Sequence, residues 1–219
     1  MVSSYNHFFN RAAFGVYPEH HTEKKLPEFR TIANTAGQQK PVSVVDAQDA
    51  KYKMGSAKDK PDPAAKKEMK EQVRQAQILL NTTWINQMKD PAVVLREKMT
   101  FFWHDHFACN TKNPFLAQQQ NNTIRAHALG KFSDLLMAVS KDAAMLQFLN
   151  NQQNKKNSPN ENFAREVMEL FTLGRGQYSE EDVKNAARAF TGWGFNPLTG
   201  EFVFRPRIHD YDSKTFRGK

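Results

Sequence analysis

Two histidines and a carboxylate fall within three residues in Phe101-Phe102-Trp103-His104-Asp105-His106-Phe107, a combination able to hold a divalent metal ion or to move a proton. Whether both rings can serve one ion depends on the backbone beneath them. At about 100° per helical residue, His106 projects with Leu95, Met99 and Phe102, whereas His104 lies about 160° away with Glu97, Thr100 and Ala108. Paired zinc-binding histidines on a helix stand four residues apart, so a regular helix here excludes shared ligation. His106 is therefore expected as a core histidine with a satisfied ring nitrogen. His104, seven residues after Glu97, is the better site candidate.

A second constellation is Asn160-Glu161-Asn162-Phe163-Ala164-Arg165-Glu166-Val167-Met168-Glu169-Leu170-Phe171. On a helical wheel Phe163, Val167, Leu170 and Phe171 share one side, and Glu161, Asn162, Arg165, Glu166, Glu169 and Thr172 the other. Glu166 and Glu169, three apart, could present two carboxylates to a cation or a proton-transfer site. The same residues also make a solvated face. Glu161 completes a helix cap, and Arg165 pairs with Glu161 and Glu169 at four-residue spacings, each pair contributing about 0.2–0.5 kcal/mol. A third candidate is the loop Pro206-Arg207-Ile208-His209-Asp210-Tyr211-Asp212, where backbone after a short strand could turn His209 and Asp210 toward one point. Taken as one set, His104, His209 and Asp210 would bind a divalent ion, with Glu166 or Glu169 as ligand or general base of a hydrolytic reaction.

Other chemistries find less support. Gly174-Arg175-Gly176 lacks the lysine and the strand-to-helix setting of a phosphate loop, and no serine sits in a nucleophile-elbow setting. The single cysteine, Cys109, excludes an internal disulfide and a cysteine-rich zinc site, and reads as a small buried residue. A formal charge of +8 would attract polyanions. Its distribution argues against nucleic acid, because the lysines between Lys51 and Lys70 interleave with Asp59, Asp62 and Glu68, while the cluster Arg205, Arg207, Lys214, Arg217 and Lys219 has no helical periodicity. Trp84, Trp103 and Trp193 sit in apolar helix patterns and read as core anchors.

The elements that must position these groups are mostly helices. A short one opens the chain before Gly15. Residues 16–63 form a polar excursion punctuated by Gly37, Pro41, Gly55, Pro61 and Pro63, with at most a short helix near 27–36. A long helix runs from Pro63-Ala64 to Asp90-Pro91, followed by helices at about 92–108, 114–129, 132–139 and 143–149. Ser158-Pro159-Asn160-Glu161 and Ser179-Glu180-Glu181-Asp182 read as capped starts of helices at about 159–173 and 180–191. Only residues 200–205 alternate like a strand. The expectation is an all-α, irregular multi-helix bundle in a single domain over residues 1–219. It has a helical core at 64–193 and, at 194–219, a basic tail with at most one short strand pair. No run of about 18 uncharged apolar residues occurs, and the start of the chain has no readable export signal, so the expected protein is soluble and cytoplasmic by default.

Several strings resemble the bacterial domain-of-unknown-function family DUF1800: residues 7–15, 95–107, Ile124-Arg125 with His127-Ala128-Leu129-Gly130, 160–174, 187–193, and His209-Asp210 with Lys214. The resemblance covers nearly the whole chain apart from roughly residues 16–90. It implies no settled activity. It does imply that this chain is the N-terminal portion of a longer protein, that many relatives are exported, and that a sulfatase-like protein is the partner. Three functions follow as expectations: a helical binding or assembly module acting with a partner protein, a divalent-metal-assisted hydrolase, and, least favoured, a nucleic-acid binder.

Overall fold

A computed structural model describes residues 4–15, 39–46 and 62–219; most of the expected polar excursion, with its helix near 27–36, lies outside them. The described residues form eight α-helices and one two-stranded sheet. In chain order these are α1 (Ser4–Ala12), α2 (Pro63–Met88), α3 (Val94–His106), α4 (Pro114–His127), α5 (Phe132–Ser140), α6 (Ala143–Phe148), α7 (Asn162–Glu166) and α8 (Glu180–Ala189), then β1 (Trp193–Phe195) and β2 (Phe202–Phe204). No helix among the described residues is long and apolar enough to cross a membrane.

Local chemistry explains most boundaries. Pro63 and Pro114 occupy the first turns of α2 and α4, where a missing N–H costs nothing. Asn113 caps α4 by accepting from the Phe115 amide at 3.0 Å, and Asp142 caps α6 by accepting from the Ala144 amide at 2.9 Å. At α8 the expected capping box is complete: the Ser179 hydroxyl accepts from the Asp182 amide at 3.1 Å, and the Asp182 carboxylate accepts from the Ser179 amide at 2.9 Å.

Two expected starts differ. Residues 90–93 close a turn, Val93 donating to the Asp90 carbonyl at 3.1 Å, so α3 begins at Val94 and Pro91 lies ahead of it. The expected cap at Ser158 does not form, because Ser158 bridges to Lys155 and the Asn160 amide is held by the Asn154 side chain at 2.9 Å. As a result α7 starts at Asn162, whose amide donates to the Asn160 side chain at 3.0 Å.

α7 continues as a π turn over Val167–Thr172, in which Leu173 donates to the Met168 carbonyl at 2.8 Å. The expected strand pairs antiparallel with β1, Gly194 facing Val203. Gly192 precedes this hairpin at φ +81°, and a Cβ there would stand 2.8 Å from the Arg205 carbonyl oxygen, so only glycine fits.

The main apolar core gathers Phe107, Ile124, Leu135, Met145, Leu146 and Phe163, with Trp103 and Trp193 packed against it. Beside it lies a polar core. Glu97 of α3 and Arg125 of α4, 0% and 2% exposed, pair through two bonds of 2.7 and 2.9 Å. The same carboxylate accepts from Trp84 Nε1 at 2.8 Å and Gln87 Nε2 at 3.0 Å, both on α2. The Asn121 and Asn122 side chains accept two more guanidinium protons at 2.6 Å each, and the Asn121 carbonyl lies 3.5 Å from Nη1.

This arrangement reverses the face of α3 expected from hydropathy. Arg96, Glu97 and Thr100 are buried, and Phe101 and Phe102 are 50% and 54% exposed.

Removing one member of a buried, fully bonded pair leaves the other charged and unpartnered. Arg125→Met is therefore expected to lower the unfolding free energy by about 3–5 kcal/mol, measured by urea denaturation. A loss under about 1 kcal/mol, the value of an exposed pair, would mean that water reaches the Glu97 carboxylate.

Candidate functional site

His106 sits in a cage of aromatic rings. Its ring centroid lies 4.7 Å from Phe107, 5.7 Å from Trp103, 6.3 Å from Phe171 and 6.4 Å from Phe132. Its Nε2 is 3.1 Å from the Phe171 carbonyl oxygen, which can only accept, so this nitrogen carries the proton. That carbonyl is among those left without a helical partner where the π turn ends. His106 is thus the satisfied, core-type histidine expected from its position.

His104 faces a different neighbour. Its ring meets Trp84 edge-on at 5.1 Å, and its Nδ1 is buried without a hydrogen-bond partner. Burial holds its pKa below the ordinary value, only partly opposed by Asp105. The expected proximity to Glu97 is indirect, since Trp84 packs edge-on against His104 while its indole N–H binds the Glu97 carboxylate, which is already engaged by Arg125.

The carboxylate helix is organised by cations. Arg165 binds Glu180 through two bonds of 2.8 and 2.9 Å, and Glu161 at 3.2 Å. Its expected partner Glu169 goes elsewhere, accepting from Arg175 Nε at 2.5 Å and Tyr178 Oη at 2.7 Å. The π turn is the reason: with bonding from i to i+5 the turn widens, and position i+4 no longer stands over position i. The Tyr178 hydroxyl and then Arg175 hold the Glu169 carboxyl below the usual carboxylate range. Glu166 is half-buried at the end of α7, where its charge acts on Arg175.

His209 and Asp210 diverge in role. His209 Nδ1 lies 2.7 Å from the Thr191 carbonyl oxygen, donating to it, and the ring packs edge-on against Phe204 and Tyr211 at 5.1 and 4.8 Å. Asp210 accepts from Arg188 Nε at 2.7 Å, with Lys214 Nζ at 3.5 Å, and the Arg188 bond leads the causes that push its pKa down to about 2. Asp210 therefore ties the chain after β2 to α8.

Among the described residues, no three His, Cys, Asp or Glu side chains gather so as to hold a metal ion. His106 and the π turn after Glu166 meet through Phe171, whereas His104, Glu169 and His209 each have their own separate partners.

Two surfaces remain. A cavity of about 320 Å³, almost wholly apolar, lies between Val167 and Met168 of the π turn, Ala186 and Phe190 of the α8 end, and Phe216. The other is an aromatic ridge on α3. Phe101 meets Phe14 at 6.0 Å, and Phe102 leads through Trp103, at 4.9 Å, to Phe132, 5.7 Å further on. Among the described residues, Phe14, Phe101, Phe102 and Phe132 are 41%, 50%, 54% and 41% exposed. Hydropathy assigned Phe102 to the core; the legible contrary signal was Glu97 and Thr100, three apart, on the side that became buried.

The chain belongs to the family described as protein of unknown function (DUF1800), whose model matches residues 7–219. No curated protein and no solved structure matches it.

One buried carboxylate lies outside these sites. Asp142, 8% exposed, has its pKa raised from 3.8 to about 6 by burial, offset in part by the Ala144 and Met145 amides and Thr123. Nearby Cys109 is pushed up to about 12, first by burial and then by the Asp142 charge, which makes it an inert thiol. Below about pH 3 Asp142 is protonated in both the folded and unfolded chain, so it does not affect stability. As pH rises toward about 6 the unfolded chain releases this proton while the folded chain keeps it, and stability falls.

Asp142→Asn keeps the capping acceptor and cannot ionise. Its stability relative to the parent chain is expected to rise by about 2 kcal/mol between pH 4 and pH 7, measured by urea denaturation across that range. A difference that stays constant with pH would place the carboxylate in water.

Proposed function

We propose that this chain is a helical binding or assembly module that docks on a partner protein through the aromatic ridge of α3. The observation that carries this reading is the exposure of two adjacent rings on α3, Phe101 and Phe102, each at least half exposed, with Phe102 opposite the buried, polar Glu97 side of the helix and Phe101 at its edge. Half-exposed rings flanked by charges such as Lys98 and Asp105 have the composition of an interface centre, where aromatic side chains dominate the energy. The sulfatase-like partner implied by the family resemblance is the protein we assign to this surface.

The distribution of charge supports the same choice. A hydrolytic site would need ionised groups with open coordination or proton capacity, yet Glu169 and Asp210 are each held by a cation. Polyanion binding would need a continuous outward-facing set of cations, yet in the C-terminal basic cluster two of the five turn to the protein's own carbonyls, Arg205 donating to Gln152 at 2.6 Å and Lys214 to Asp212 at 2.7 Å, leaving Arg207, Arg217 and Lys219 exposed.

Co-expression with the sulfatase-like protein is expected to yield a complex that purifies intact. Phe102→Asp should weaken it at least about tenfold, measured by titration calorimetry, because a hot-spot ring contributes upward of about 1.4 kcal/mol. Since Phe102 is half exposed, the melting temperature should move by no more than a few degrees. Unchanged affinity in the variant would remove the ridge from the interface, and failure to form any complex would remove this partner.

A further inference from the structure

Residues 40–45 cross α2 and α4 as a segment without regular secondary structure, bent at Val45, whose main-chain groups are met by side-chain amides. Asn122 brackets Val42: its oxygen accepts from the Val42 amide at 2.9 Å, and its nitrogen donates to the Val42 carbonyl at 2.7 Å. Gln118, one helical turn earlier, treats Val45 alike, with both bonds at 2.9 Å, and also accepts from the Val44 amide at 2.7 Å. Gln87 donates to the Lys40 carbonyl at 2.6 Å. The segment therefore runs antiparallel to α4.

Three features give this face the character of a recognition groove. A carboxamide that both donates to and accepts from one residue presents the pattern of a neighbouring β-strand, so it reads main chain whatever the side chain. Val42 and Val45 are buried, at 2% and 5% exposure, while Ser43 between them is exposed, so only aliphatic positions three apart are read. No main-chain bond joins the segment to another described residue, so lifting it off breaks only bonds that water can replace and uncovers a polar amide face.

We propose that the face carrying Gln87, Gln118 and Asn122 is a peptide-reading groove filled in cis by residues 40–45, and that its partner in trans is a peptide of non-helical backbone with aliphatic residues three apart. A peptide entering the groove forms the same six main-chain bonds that the cis segment gives up. Occupancy is then a competition between a tethered and a free ligand, decided by effective concentration. The groove lies on α2 and α4, and its reading does not rest on the ridge of α3.

The test uses the full chain and a fluorescein-labelled peptide, Gln-Lys-Pro-Val-Ser-Val-Val-Asp, copied from residues 39–46. In the chain carrying Val42→Asp and Val45→Asp the cis segment cannot seat. Fluorescence anisotropy is expected to show saturable binding there, at least tenfold tighter than to the parent chain. Adding Gln118→Ala should weaken it at least tenfold, and a peptide with the valines copied from Val42 and Val45 replaced by aspartate should not bind. Absence of saturable binding to a cooperatively folded double variant overturns the proposal.

If the double variant does not fold, hydrogen exchange on the parent chain decides. Amides of Val42, Val44 and Val45 exchanging at least tenfold faster than those in the middle of α4 support a displaceable segment; exchange at the same rate as α4 makes it part of the core and overturns the groove. Loss of ridge-dependent partner binding would leave all of these readouts unchanged.

Discussion

Glu97 and Arg125 govern how the three longest helices approach one another. Neither charge can stay buried alone, because an isolated ion in the interior costs far more than its neighbours can return. Pairing them joins α3 to α4, and two more donors from α2, Trp84 and Gln87, complete the carboxylate. Those donors stand three apart on α2, so a one-residue slip of that helix would take both away from the carboxylate. Arg96 reinforces the register by donating to the Arg125 carbonyl at 2.8 Å. The outward aromatic ridge is a consequence of the same pair. Once the Glu97 side of α3 is turned inward, Phe102, about 140° round the helix, faces solvent, while Phe101, one turn after Glu97, lies at the edge of that side against Trp84 and Phe14.

The π turn has a comparable reach at shorter range. One extra residue in the turn after α7 moves Glu169 from Arg165 to Arg175 and Tyr178, which frees Arg165 to clasp Glu180 at the start of α8. It also moves the apolar positions. Met168 is 4% exposed and Leu170 is 57% exposed, the reverse of a regular wheel. The carbonyl of Phe171 is then satisfied from another helix, by His106. A carboxylate pair drawn on an ideal helix thus becomes, on this backbone, a set of separate ion pairs that lock α7 to its neighbours.

What was legible in the sequence divides along the same line. Helix existence, the proline-led starts at Pro63 and Pro114, and the box at Ser179 depend on a few adjacent residues, and these came through. The satisfied ring of His106 also followed, though from a face assignment that was otherwise inverted. Polar residues are read as solvent-facing by default, and only a partner distant in sequence turns Glu97 inward; Arg125 is 28 positions away. The cap at Ser158 failed for a similar reason, because Asn154 competes for the amide of Asn160 through a loop contact that no local pattern encodes. The metal set drew on His104, Glu166, Glu169, His209 and Asp210 from three regions. Spacing along the chain carries no information on whether such regions meet.

The polar core and the segment at residues 40–45 share atoms, and this joins the fold to recognition. The Asn122 carboxamide oxygen has two lone pairs, one taken by Arg125 Nη1 at 2.6 Å and the other by the Val42 amide at 2.9 Å. The Gln87 amide has two hydrogens, one on Glu97 and one on the Lys40 carbonyl. Whatever lies along α4 must therefore present an amide and a carbonyl at these places, or leave those valences of the ion-pair network to water. A non-helical main chain with free amides and carbonyls meets that demand. A helix, whose own amides are internally bonded, does not. The chemistry that holds the helices together thus also selects the backbone conformation of what can lie across them.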